Sequence, residues 1–121
     1  MTKVLIVDDS PAQVLNLKKL VEDWGYETLT AESGEQAMQI ARQEQPNVIL
    51  MDIVMSDMSG FQAARKLSKD QVTHDIPVIF VSIKDSEADR VWGMRQGATA
   101  YVTKPVNPEK LLTAITEAVA A

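Results

Sequence analysis

The chain has 121 residues, a net charge of -5, one histidine and no cysteine. That length suits one domain with a real core. The acidic balance argues against nucleic acid and anionic membrane surfaces as main partners, and the missing cysteine removes disulfides, zinc thiolates and thiol nucleophiles.

The first apolar run, Val4-Leu5-Ile6-Val7, ends in Asp8-Asp9. Lys3 and the acids leave too short an apolar segment for a signal peptide. No run approaches the roughly 20 residues needed to span a bilayer, so a cytoplasmic domain is expected. Strands are predicted at about 3–8, 27–30, 47–52, 77–82 and 99–103, and helices at about 11–24, 34–44, 60–69, 86–95 and 108–120. Ser10-Pro11 and Asn107-Pro108 each place an N-cap residue before a proline at the first helical position. Ser33 with Gln36 fits a capping box, and Gly25 and Gly97 fall where the first and fourth helices should stop. Val14, Leu17, Leu20 and Val21 form a core stripe on the first helix, as do Leu111, Leu112, Ile115 and Val119 on the fifth.

Strict strand–helix alternation predicts an α/β fold with a parallel sheet covered on both faces. The first, third and fourth strands are continuously apolar and should be central; Glu27-Thr28-Leu29-Thr30 alternates and suits an edge. Right-handed crossovers then favour a flavodoxin-like, doubly wound (βα)5 unit of order 2-1-3-4-5, with its crevice at the carboxyl ends of the first and third strands.

The acids stand at that crevice. Asp8-Asp9 alone would be read equally well as helix capping. Asp52, which ends Val48-Ile49-Leu50-Met51, would alone be read as the start of a turn. At neighbouring strand ends, however, carboxylates repel by roughly 4 kcal/mol for a pair 4 Å apart at an effective dielectric near 20. A hard divalent cation with oxygen ligands, Mg2+, answers that repulsion. Ser82 ends the fourth strand and Lys104 follows the fifth. Acids, cation, hydroxyl and ammonium together suit phosphoryl transfer, which is mostly positioning and charge compensation. There is no P-loop to mark a nucleotide donor.

Over essentially its whole length the chain resembles response-regulator receiver domains of two-component phosphorelays. The resemblance is carried by Val7-Asp8-Asp9-Ser10, Met51-Asp52-Ile53-Val54-Met55 with Gly60, Ser82, and Tyr101-Val102-Thr103-Lys104-Pro105. Val91-Trp92-Gly93-Met94-Arg95-Gln96-Gly97-Ala98 and the stand-alone length look most like chemotaxis-type receivers of twitching motility or phototaxis. The resemblance implies one receiver domain over 1–121, with no effector domain and no enzymatic turnover of its own. Asp52 would be the phosphoacceptor. Asp9 would bind Mg2+ (or Mn2+ in its place) directly, Asp8 mainly through water, and Asp52 and the Val54 carbonyl would complete the protein ligands. Lys104 and Ser82 would hold phosphoryl oxygens, Tyr101 would be the rotameric switch, and Lys104-Pro105 would be cis. The implied partners are a sensor histidine kinase or phosphotransfer protein and a downstream target, met by a monomer.

Three positions depart from the family's usual pattern. Ser56 stands where proline is common, which should loosen the loop after Asp52. Ile83 replaces a small residue after Ser82 and should narrow access to the phosphoryl site. Val54 offers no polar group to orient water, and with Lys84 it occupies a position that tunes acyl-phosphate hydrolysis. His74, Glu87, Asp89 and Arg90 read as solvated, and the methionines as core and loop filling. Trp24 and Trp92 read as partly packed against the sheet, Trp92 alternatively as a partner surface. A phosphate sink, a silent pseudo-receiver and an enzyme or flavin carrier on the same fold are the competing functions. The intact acidic set argues against silence, and the acidic crevice against a flavin phosphate.

Overall fold

The computed structural model describes residues 1–120. Its elements follow in strict alternation: β1 (Lys3–Val7), α1 (Pro11–Asp23), β2 (Glu27–Ala31), α2 (Gly34–Glu44), β3 (Val48–Met51), α3 (Gly60–Lys69), β4 (Val78–Ser82), α4 (Glu87–Arg95), β5 (Ala100–Thr103) and α5 (Pro108–Ala120). All strand pairs are parallel, and the order is β2-β1-β3-β4-β5. The alternating strand β2 is indeed at an edge, and the continuously apolar strands are central.

Alternate residues of the central strands feed two apolar layers, as the pleat requires. Leu5, Val7, Ile49, Met51 and Phe80 meet Ala37 and Ala41 of α2 and Ala63, Ala64 and Leu67 of α3. Val4, Ile6, Leu50, Ile79 and Val81 meet Leu17 and Val21 of α1 and Leu111 and Ile115 of α5. Trp24 packs in this second layer. Trp92 does not meet the packing expectation. It is 48% exposed, because Gly93 is the α4 residue that faces the sheet, close to Phe80 and Phe61.

The helix ends follow the local signals with two differences. Ser10 and Asn107 accept from the N–H groups of Gln13 and Lys110, and Gly25 and Gly97 take φ of 92° and 99°, values L side chains avoid. Ser33 accepts from Gln36 N–H as expected, but Gln36 accepts from Glu32 N–H rather than returning to Ser33. The complete capping box is at Ser59 and Gln62. Helix α2 stops at Gln45, a non-glycine residue in the left-handed region at φ 45°.

Candidate phosphoryl-transfer and metal site

Backbone pairing puts the acids side by side. The Asp8 N–H donates to Ala31 of β2, and the Asp52 N–H donates to Val7 of β1. Each strand therefore delivers its aspartate one residue past its last paired position, on the same edge. Carboxylate oxygens of Asp8, Asp9 and Asp52 all lie within 4.8 Å of one another. Asp8 and Asp52 are buried and Asp9 is exposed.

Each buried acid is partly committed. Asp8 accepts from Ser10 N–H at 2.9 Å and from Lys104 Nζ at 2.8 Å. Asp52 accepts from Ile53 N–H at 2.9 Å and lies 3.8 Å from Lys104 Nζ. The two buried carboxylates thus share one ammonium. Burial, above all, pushes the Asp52 carboxyl above its ordinary value. Lys104 opposes that rise, Asp8 adds to it, the Ile53 N–H opposes it, and Asp9 adds to it. An all-oxygen, net-anionic cluster at a crevice is the donor set that hard divalent cations take, so the residues fit Mg2+.

The hydroxyl side is built by β4 and β5. Ser82 is fully buried, and its carbonyl accepts from Lys104 N–H at 2.8 Å, which ties the two strand ends together. Ser82 Oγ accepts from Lys84 N–H at 3.3 Å, while Tyr101 Oη donates to the Lys84 carbonyl at 2.5 Å. One peptide segment thus joins the hydroxyl to the aromatic ring. Tyr101 also packs near Phe80, with ring centroids 6.0 Å apart. Its hydroxyl is pushed up to about 12 by burial first and by Asp89, with Arg90 opposing. The Lys104-Pro105 bond is cis.

The loop after Asp52 turns sharply at Gly60. A Cβ there would lie 2.1 Å from the Asp52 carbonyl oxygen, so no larger residue fits without moving main chain. Val54 and Ile83 are 52% and 68% exposed at the carboxyl edge of the sheet. Ile83 is thus mostly in solvent next to Ser82. Ser56 does not leave the loop untethered, because Asp57 accepts from the N–H groups of Gly34 and Glu35 at the start of α2. The sequence reading passed over Asp57, whose partners lie more than twenty residues away along the chain. It also passed over the main chain of Lys84. His74 is exposed beside Asp75, far down the chain from any acid of the cluster.

Comparison with known proteins agrees with this geometry. Residues 4–116 match the family model of the response regulator receiver domain. The chain is 53% identical over 115 residues to protein PilH of Pseudomonas aeruginosa, covering 95% of each. It is 35% identical to the response regulator PleD of Caulobacter vibrioides, of which it spans 25%. Among solved structures, a CheY-like receiver domain protein from Methanospirillum hungatei superposes with a TM-score of 0.90 at 32% identity, over 99% of this chain and 94% of that one. Chemotaxis protein CheY4 of Vibrio cholerae does so with 0.90 at 31%, over 98% of each chain. No helix of the described residues is long and apolar enough to cross a membrane. With its sheet order, its acidic edge and this family match in agreement, the chain belongs to the response regulator receiver domain family.

Proposed function

We propose that this receiver accepts a phosphoryl group on Asp52 from a phosphohistidine of a sensor kinase or phosphotransfer protein. The observation that carries the reading is the convergence of Asp8, Asp9 and Asp52 within 4.8 Å, with one ammonium, Lys104, on the two buried acids. Asp8, Asp9, Asp52 and the Val54 carbonyl would hold Mg2+. When bound, the cation supplies the charge compensation that lets an anionic acceptor approach an anionic phosphoryl group.

An Asp52 carboxylate oxygen forms the new P–O bond while the P–N bond to histidine breaks, and the imidazole leaves and takes up a proton. Lys104, already between Asp8 and Asp52, is placed to exchange a carboxylate for a phosphoryl oxygen. Ser82 donates to another. That donation draws on the segment holding Lys84, so the Tyr101 anchor shifts and the α4–β5–α5 face changes. The change is a population shift, driven only by what the phosphoryl group binds better in one state. The output would be contact with a target protein in a motility or taxis pathway. Similarity to PilH and to a chemotaxis protein supports that pathway.

The test is intact-protein mass spectrometry after incubation with acetyl phosphate, with and without Mg2+, beside Asp52→Asn. One Mg2+-dependent phosphoryl adduct, missing from the variant, is expected. Stable phosphorylation of Asp52→Asn at another residue would sink the assignment.

A further inference from the structure

The segment between Asp52 and Gly60 is held at both ends. At its base, Ile53 N–H donates to the Asp52 carboxylate at 2.9 Å, and Gly60 N–H donates to the Ile53 carbonyl at 2.8 Å. At its tip, the Asp57 carboxylate spans the start of α2. One oxygen accepts from Gly34 N–H and the other from Glu35 N–H, each at 3.1 Å. The next side chain, Met58, lies against Gly34 so closely that a Cβ on that glycine would sit 2.5 Å from Met58 Cγ.

This is more than a helix cap. Helix α2 already has its own N-cap in Ser33, which accepts from Gln36 N–H at 3.1 Å. Asp57 satisfies two further N–H groups that the helix leaves free, and it does so from a loop distant in sequence. The Asp57 carboxyl is held below its ordinary value: a burial effect that would raise it is outweighed by the N–H groups of Glu35, Gly34, Met58 and Asp57 itself. Its charge is thus matched to this seat.

Between base and tip lie Val54, Met55 and Ser56. The four Cα–Cα steps from Ile53 to Asp57 reach at most about 14 Å, so fixing both ends narrows where the Val54 carbonyl can point. Ser56 adds no φ restraint of its own. Mg2+ demands near-ideal octahedral geometry, so a ligand carbonyl that drifts by a fraction of an ångström weakens binding.

We propose that Asp57 is the positioning residue of the metal site: by tethering the loop tip to the start of α2, it sets the Val54 carbonyl toward the divalent cation. The inference rests on the Mg2+ reading above. It also couples α2 to the site, and coupling is reciprocal. Cation binding must therefore tighten the Asp57 tether and protect the amides it holds.

The experiment is Mg2+ titration by calorimetry on the full chain, for wild type, Asp57→Ala and Asp57→Asn, with amide hydrogen exchange at Gly34 and Glu35. Asp57→Ala should weaken Mg2+ about tenfold, as losing an outer support of a metal ligand does. Asp57→Asn, which keeps one acceptor oxygen, should fall between. In wild type, Mg2+ should slow exchange at Gly34 and Glu35; in Asp57→Ala it should not. A purely structural cap would lower stability in chelator yet leave the Mg2+ affinity unchanged, and that result overturns the proposal. If Asp57→Ala does not fold, wild-type affinity in Asp57→Asn overturns it equally. If wild type itself takes no Mg2+, the metal reading fails first and the tether's role fails with it.

Discussion

Replacing Asp52 by asparagine should stabilise the protein whenever divalent cations are absent. Carboxylates within 4.8 Å repel by about 3.5 kcal/mol per pair at an effective dielectric near 20. Asp52 faces one such pair with buried Asp8. It faces a second with Asp9, which is exposed, so screening reduces that term to about 1 kcal/mol. Lys104 at 3.8 Å attracts Asp52 by about 4 kcal/mol on the same scale, which roughly cancels the Asp8 term. What remains is the screened Asp9 repulsion and the cost of burying a carboxylate. Asparagine removes both and can still accept from Ile53 N–H through Oδ1.

The expected gain in chelator is about 1–2 kcal/mol, or roughly 4–8 °C in Tm. Saturating Mg2+, at about 100 times its Kd, should add about 2.7 kcal/mol to wild type and much less to the variant, so the order inverts. The pH dependence has a definite sign. Because the Asp52 carboxyl is raised in the folded state, the folded metal-free chain holds more protons than the unfolded one between the ordinary carboxylate range and that raised value. The stability this contributes is fully present below the ordinary value and is lost as pH rises through the raised one. Asp52→Asn should lack that slope. Urea unfolding in chelator and in Mg2+, across this pH window, measures all three effects. An Asp52→Asn protein no more stable than wild type in chelator would refute the reasoning.

Gly60→Ala should cost about 3 kcal/mol in the same unfolding assay, since its Cβ meets the Asp52 carbonyl oxygen and only main-chain movement relieves the clash. Lys104→Ala should cost about 3 kcal/mol in chelator by leaving the buried Asp8 carboxylate unpaired; adding Asp8→Asn should recover most of it. Tyr101→Phe should cost about 1 kcal/mol for the lost bond to the Lys84 carbonyl. Burial should delay the Tyr101 tyrosinate step to about pH 12 in a spectrophotometric titration, and that step should be missing from the variant. Ile83→Ala should leave stability unchanged within about 0.5 kcal/mol, because the side chain is 68% exposed. Unchanged labelling and dephosphorylation rates would show that its bulk does not gate the site.

The sheet was legible because the central strands are buried on both faces and so carry unbroken apolar runs. The acidic cluster was legible for a related reason. Parallel strands of one sense bring their carboxyl ends together, so the Asp8-Asp9 pair and Asp52, far from it in sequence, had one place to meet. Other features left weaker marks. The Ser59–Gln62 capping box has the same spacing as Ser33–Gln36 and could have been read; the two differ only in where the glutamine returns. Gln45 in a left-handed C-cap carries no sequence mark, because the usual sign there is glycine. Asp57 reads locally as an ordinary turn acid, and only the packing of the loop on α2 gives it two N–H partners.

The link between Ser82 and Tyr101 was the least legible part, for a physical reason. Ser82 and Tyr101 were both identified from their side chains, but they meet through the main chain of Lys84: its N–H donates to Ser82 Oγ and its carbonyl accepts from Tyr101 Oη. Any residue but proline at position 84 presents the same two groups, so its identity cannot announce them. The two bonds lie at opposite ends of one residue, so a hydroxyl that turns from Lys84 N–H toward a phosphoryl oxygen frees one end while the ring still holds the other. On the proposed mechanism, coupling would then depend on the length and path of the loop after β4. Inserting or deleting a residue there should uncouple site from face, where substituting the Lys84 side chain should not.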